Sequence, residues 1–366
     1  MPSMRIKTPN IATRGYGNHS NKRIKMNTSR RDFLGNMAAV GAASLLTGCM
    51  TEISGKTSNF VSRGPILGEL VHLGFHMWSE KEAAEREQIR FDEAVWQKMS
   101  EKMVSAGMNV VVIDLAEGLV WPSHPEIAKP GAWMPDRLRD ELERLRHLGL
   151  EPIPKLNFSA SHDLWLGEYQ RMVSTSTYYG VCGDLIKDAC EIFSTPRLFH
   201  LGYDEEGARD QQKYEYAVVR QGDLWWRDFL WFVSKTEKLG MRPWIWSDYC
   251  WHHKDEFFKR MPRSVLQSNW YYRDEFDPET AKRPDSAMRL RLFAEFDKQG
   301  FDQVPCGSNY PGGTDDNFGK LVRYTRTQIS PERLKGFLMA PWVEMDAPNA
   351  ERQYHSTELV AEAMRG

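Results

Sequence analysis

From about residue 66 onward the chain alternates short apolar runs with amphipathic ones, and it does so eight times. The apolar runs 70–78, 109–116, 151–158, 197–204, 241–248, 265–271, 302–308 and 336–344 have the length and residue content of strands. Between and after them, helical spacing recurs near 92–106, 135–148, 183–193, 222–239, 253–260, 285–299, 316–329 and 351–364. A strand that returns through a helix to a parallel neighbour is the unit of an α/β fold. Gly107, Gly149, Gly240 and Gly300 stand just before strands, where a helix can end in a left-handed cap. Eight such units predict a single (β/α)8 TIM barrel over residues 66–366 with no internal domain boundary.

In a barrel of this kind chemistry gathers at the carboxyl ends of the strands. Those ends here are rich in acids and aromatics: His76, Asp114, His162 in the third loop, His200, Asp204, Glu205, Trp246, Asp248, Tyr272, Asp274, Trp342 and Glu344. The fourth strand is the most pointed case. Leu198 to Glu206 reads Leu-Phe-His-Leu-Gly-Tyr-Asp-Glu-Glu, with Phe199 and Leu201 on one face and His200, Gly202 and Asp204 on the other. Two adjacent carboxylates at a strand end suit glycosidic bond cleavage. They share one cavity only if the strand ends or bulges there. Aromatic faces can stack on sugar rings, although thirteen Trp and thirteen Tyr also serve as core filling.

The first 31 residues carry eight basic side chains and no acid. Ser29-Arg30-Arg31-Asp32-Phe33-Leu34 precedes an apolar run from Met37 to Leu46, too short to span a bilayer, that ends in Leu46-Thr47-Gly48-Cys49. This order predicts a twin-arginine export signal over 1–49, lipidation at Cys49 and a tether over 50–65. The expected location is the periplasm or the outer membrane, with a lipid anchor as the membrane contact. Residues 1–48 hold eight of the 48 Lys and Arg and one of the 50 Asp and Glu, so without them the net charge moves from −2 to about −9. Such a balance is a poor match for nucleic acid. Cys182, Cys190, Cys250 and Cys306 form no paired motif. His72 and His76 lack the spacing of a strand-one metal pair, and no Gly-rich phosphate loop is present, so neither metal nor cofactor is expected.

Three segments, in order, resemble glycoside hydrolase family 20, the β-N-acetylhexosaminidases. They are Gly149 to Pro154 with Ser161-His162, then Asp188 to Phe193 with His200-Leu201-Gly202-Tyr203-Asp204-Glu205, then Pro243 to Asp248. Tyr272-Arg273-Asp274 and Trp342-Val343-Glu344 are similar to two later motifs. The resemblance covers most of the barrel and implies substrate-assisted retention on β-linked N-acetylhexosamine glycans. Glu205 would be the general acid, and Asp204 would orient the substrate's acetamido group. Tyr272 would hold the acetamido oxygen, Asp274 its partner groups, and Glu344 distal hydroxyls. Trp246 and Trp342 would wall the ring. A glutamic acid beside another carboxylate under aromatic cover is expected to have a raised pKa.

The chain also departs from the family. The strand-one Arg is missing from Gly74-Phe75-His76-Met77-Trp78, Lys155 stands where the family has Glu, and Tyr203 replaces a Gly. Lys155 has the parity to face inward beside Asp204. Two other classes stay open: a glycan-binding barrel without activity, and a glycosidase for another sugar that needs no acetamido group. For Glu205 the bland alternative is a helix-capping acid, a role Glu206 would serve equally well.

Overall fold

The computed structural model describes residues 64–74, 81 and 85–366. The export signal, Cys49, nearly all of the tether and His76 lie outside the described residues.

Among the described residues, eight parallel strands and eight α-helices alternate in the predicted order. They are β1 (Ile66–His72), α1 (Glu93–Ser105), β2 (Val110–Asp114), α2 (Pro135–His147), β3 (Glu151–Lys155), α3 (Ser176–Ile192), β4 (Leu198–His200) and α4 (Asp223–Lys238). There follow β5 (Arg242–Trp246), α5 (Lys254–Arg260), β6 (Leu266–Ser268), α6 (Pro284–Lys298), β7 (Cys306–Gly307), α7 (Asp316–Gln328), β8 (Gly336–Met339) and α8 (Ala350–Arg365). The sheet runs β6-β5-β4-β3-β2-β1-β8-β7. Isolated bridges Gln267–Gln303 and Trp270–Cys306 join β6 to β7 and bring the barrel to closure.

Local chemistry explains the boundaries. Asp92 caps α1, its carboxylate accepting from the amides of Ala94 and Val95, and the Thr175 hydroxyl caps α3. The four glycines expected to end helices all have φ between +79° and +89°. β6, β7 and β8 are shorter than expected, and three further elements differ from the expectation. β1 covers 66–72 rather than 70–78, because Leu73 and Gly74 both donate to the Asp114 carbonyl and leave the ladder. α3 begins at Ser176 rather than 183; its Gly183 sits where a Cβ would meet Lys235 and Trp231 of α4 at 3.1–3.4 Å, so the helix start reads in sequence like a loop. β4 stops at His200, four residues short of the expected end.

Side chains sort by parity. Ile66, Leu70, Val110, Val112, Ile153, Leu198, Trp244, Leu266, Val304 and Leu338 fill the barrel interior. Val111, Ile113, Phe199, Leu201 and Ile245 face the helices. Above the apolar interior lies a buried polar layer. Lys155 Nζ donates to Asp114 Oδ2 at 2.5 Å, and His72 Nδ1 lies 3.4 Å from the same oxygen. Lys155 and Asp114 thus set an ion pair inside the barrel.

Candidate active site

The end of β4 builds the site. After His200 the chain passes through Gly202 at φ +70°, Tyr203 at φ +73° and Glu205 at φ +55°. These left-handed residues break the alternation of a strand, so Asp204 and Glu205 turn into one cavity despite being adjacent. Tyr203 offsets its strain by packing. Its ring meets Trp225, Phe229 and Phe232, and its hydroxyl accepts from Arg220 Nη1 at 2.9 Å.

The cavity encloses about 350 Å³ and is lined by Asp204, Glu205, Trp246, Trp270, Tyr272, Tyr310, Pro311 and Trp342. The loop after β3 supplies a third ionisable group. His162 Nε2 lies 3.1 Å from Glu205 Oε2 and 3.5 Å from Asp204 Oδ2. Asn157 Nδ2 donates to Asp204 Oδ1 at 2.8 Å, Ser159 Oγ to the Asp204 carbonyl at 2.5 Å, and the Ser161 hydroxyl to the Glu205 carbonyl. Asp248, after β5, accepts the Glu205 amide at 2.8 Å and the Trp270 indole N–H at 3.4 Å. Trp342 also has a positive φ, +55°, so two non-glycine residues at the cavity are held in strained backbone.

Burial pushes Asp204 up, reinforced by Glu205 and opposed by His162. Burial and the Asp204 charge push Asp248 well up. Burial lowers His162, but the charge of Asp204 and the hydrogen bond to Glu205 outweigh it and leave the imidazole above its ordinary value. Burial raises Glu205, yet His162, with help from Lys213 and Arg289, holds it below the usual carboxylate range. The expected raised Glu205 is therefore corrected: His162 holds the carboxyl below its ordinary value rather than above it. Glu205 titrates low because His162 bridges it and because its side chain is the most exposed of the group, 31% against 12% for Asp204. His162, Asp204 and Glu205 each bring a ligand atom within 4.8 Å of the others, and they form the one such group among the described residues able to hold a metal ion.

The other expected site residues divide. Trp246, Tyr272 and Trp342 line the cavity, and Asp248 supports it from beneath. His200 lies below, buried between Trp244 and Trp246, with Nδ1 accepting the Gly202 amide; burial and Lys155 keep it well below its ordinary pKa. Asp114 belongs to the buried layer with Lys155 and His72. Lys155 faces inward as expected and lowers Asp204, though its direct partner is Asp114. Asp274 is exposed and away from the cavity, because Asn317 Nδ2 pins the carbonyls of Tyr271 and Arg273 and turns the next residue outward. Glu344 is buried in an ion pair with Arg86 from the loop after β1.

Four contributors were given no site role by the sequence. Arg86 brings a cation to Glu344 from fourteen positions beyond the end of β1, a distance no motif spacing would reveal. Trp270 and Tyr310 line the cavity from strand ends where aromatics were already frequent. Glu206 is neither a surface acid nor a helix cap. It is buried against Arg220 and accepts the Ala160 amide at 2.9 Å, tying the β3 loop to the β4 loop.

The architecture is a (β/α)8 barrel with an acid–histidine–acid cluster at its carboxyl face. No protein-family model matches the chain, and no curated protein sequence does. Solved structures do resemble it. A β-N-acetylhexosaminidase from Bacteroides fragilis aligns with TM-score 0.57 at 12% identity, over 82% of this chain and 65% of that one. A Flavobacterium johnsoniae chitobiase gives TM-score 0.55 at 13% identity, over 82% and 52%. Dispersin B gives 0.52 at 15%, over 82% and 100%. The chain thus spans just under two thirds and about half of the first two. At these identities the likeness establishes a shared barrel.

Proposed function

We propose that this barrel is a glycoside hydrolase acting on β-linked N-acetylhexosamine glycans with retention, assisted by the substrate's own acetamido group. The observation that carries the reading is the His162-bridged pair Asp204–Glu205 under an aromatic roof. The carboxylates approach within 4.8 Å. At that spacing both can reach one sugar unit, Glu205 at the leaving oxygen and Asp204 at the acetamido group, as substrate assistance requires. In the barrels it resembles, a Streptomyces plicatus β-hexosaminidase has been solved with GlcNAc as product.

Glu205 delivers the proton to the leaving oxygen. A sugar that fills the cavity strips water from Glu205 and strengthens the effect of burial, which moves the proton from His162 to the carboxyl. Asp204, with one oxygen held by Asn157, takes the acetamido N–H and stabilises the charge that develops as the carbonyl attacks the anomeric carbon. Tyr272 closes on the acetamido oxygen, while Trp246 and Trp342 wall the ring. No carboxylate nucleophile is needed.

Hydrolysis of matched β-N-acetylglucosaminyl and β-glucosyl disaccharides tests the reading. Only the acetamido substrate should turn over, and a thiazoline analogue should inhibit. Glu205→Gln should lower kcat about 10²–10⁴-fold, the usual range for a lost general acid. Equal turnover of both disaccharides would remove acetamido assistance. Sugar binding without any turnover would leave a lectin-like barrel.

The export reading stands on the sequence. We infer passage by the twin-arginine route and anchoring through a lipidated Cys49, which would set the enzyme on a membrane among extracytoplasmic glycans.

A further inference from the structure

Asp248 is a buried carboxyl to which the reaction described above gives no step. It follows β5 and uses its two oxygens on two different elements. Oδ2 accepts the backbone amide of Glu205 at 2.8 Å, and Oδ1 accepts the indole N–H of Trp270 at 3.4 Å. Glu205 needs such a hold, because a non-glycine residue keeps a φ of +55° only where its surroundings impose it. The Ser161 hydroxyl holds its carbonyl and His162 its carboxyl, both from the loop after β3. Asp248 holds its amide from the end of β5. Since β3 and β5 flank β4 in the sheet, the acid is gripped from both neighbouring strands.

The second partner belongs to the cavity wall. Trp270 lines the cavity together with Glu205, stacks on Tyr272 with centroids 4.9 Å apart, and meets Trp251 edge-on at 4.4 Å. We propose that Asp248 is a positioning residue, whose one carboxyl holds the backbone of the acid and the ring of Trp270 at a fixed separation. The inference rests on the hydrolase reading above and adds to it a group that acts through Glu205. The cavity is lined by the two partners of Asp248 rather than by Asp248 itself.

The chemistry of the partners demands this residue type. Both are N–H donors, and a carboxyl presents an oxygen to each. Asparagine of the same shape presents one oxygen and turns its NH2 toward the other donor. Asp248→Asn therefore breaks one of the two links while keeping the volume of the side chain. Trp270→Phe breaks only the indole link and leaves the carboxyl beside Asp204 and Glu205 as it is. Together the two variants separate the placing of the acid from the charge around it.

The test uses two substrates that share a β-N-acetylglucosaminyl group and differ in their need for an acid. In a disaccharide the leaving oxygen must be protonated as the bond breaks; a dinitrophenolate departs without a proton. For both, kcat/KM measures the barrier from free enzyme to bond cleavage. Asp248→Asn should lower it about 10²-fold for the disaccharide, the scale of a misplacement by roughly 1 Å, and spare the dinitrophenyl substrate. Trp270→Phe should move the ratio of the two values in the same direction by a smaller factor. An Asp248 that bound the sugar, or that only supported the fold, would lower both substrates together. That result, or a ratio that either variant leaves unmoved, would overturn the proposal while the hydrolase reading stands. A wild type that turns over neither substrate would sink both. Should Asp248→Asn fail to fold, the ratio in Trp270→Phe decides.

Discussion

At the scale of single residues, the site depends on backbone that L-amino acids rarely adopt. Gly202 is where the chain first leaves the strand, and a Cβ there would meet Asn157 Oδ1 at 2.2 Å. Gly202→Ala must therefore displace the side chain that holds Asp204, and it adopts a positive φ as well. A cost of about 1–3 kcal/mol is expected from the backbone alone, read as a lower Tm together with a loss of kcat. His162 carries the second prediction at this scale. Its folded pKa is raised by the two carboxylates, so the imidazolium persists above the ordinary 6.5 and is lost as pH rises through the folded value. Activity that draws its proton from this cluster should fall along the same alkaline limb of kcat/KM. In His162→Gln that limb should move, since Glu205 loses its bridging partner. An unchanged limb would place the proton elsewhere.

At the scale of elements, the catalytic loops are held by pairs beneath them. Arg220 donates to both oxygens of Glu206, to the Tyr203 hydroxyl and to the Phe158 carbonyl, while Glu206 accepts the Ala160 amide. This buried set ties the β3 loop, which carries His162, to the β4 loop, which carries Glu205. Removing one partner strands the other's charge, at a typical cost of about 3–5 kcal/mol. Arg220→Met should accordingly lower the denaturant midpoint sharply. The double variant with Glu206→Gln should recover part of the loss, since no unpaired carboxylate remains. A single variant as stable as the parent would show that the loops are held by apolar packing instead. The element boundaries carry a related lesson. Helix ends at Gly107, Gly149, Gly240 and Gly300 were legible because each glycine sits at a cap. The start of α3 was not, because Gly180 and Gly183 look locally like loop residues, although Gly183 serves packing against α4. β1 was misplaced by four residues at its start and six at its end; that end is decided by two amides sharing the Asp114 carbonyl, a contact between segments far apart in sequence.

At the scale of the whole molecule, chain entry and chemistry lie at opposite ends of the barrel. Ile66 begins β1 beside Gly336 at the amino-terminal face, whereas Asp204 and Glu205 open at the carboxyl-terminal face. The lipid anchor proposed at Cys49 is tested directly. Labelled fatty acid should be incorporated into the full chain and not into Cys49→Ser, and lysine substitution of Arg30 and Arg31 should block export; incorporation that survives Cys49→Ser would rule out that anchor. The sequence by itself determined the barrel, the parity of its inward and outward faces, and the acid pair at the end of β4, because these follow from local periodicity and from motifs a few residues long. The tertiary structure alone decided that the two acids share a cavity, that His162 bridges them, that Arg86 reaches Glu344 and that Asp274 stands aside. Those outcomes depend on positive-φ backbone and on contacts between strand ends that are distant in the chain and meet only when the sheet closes.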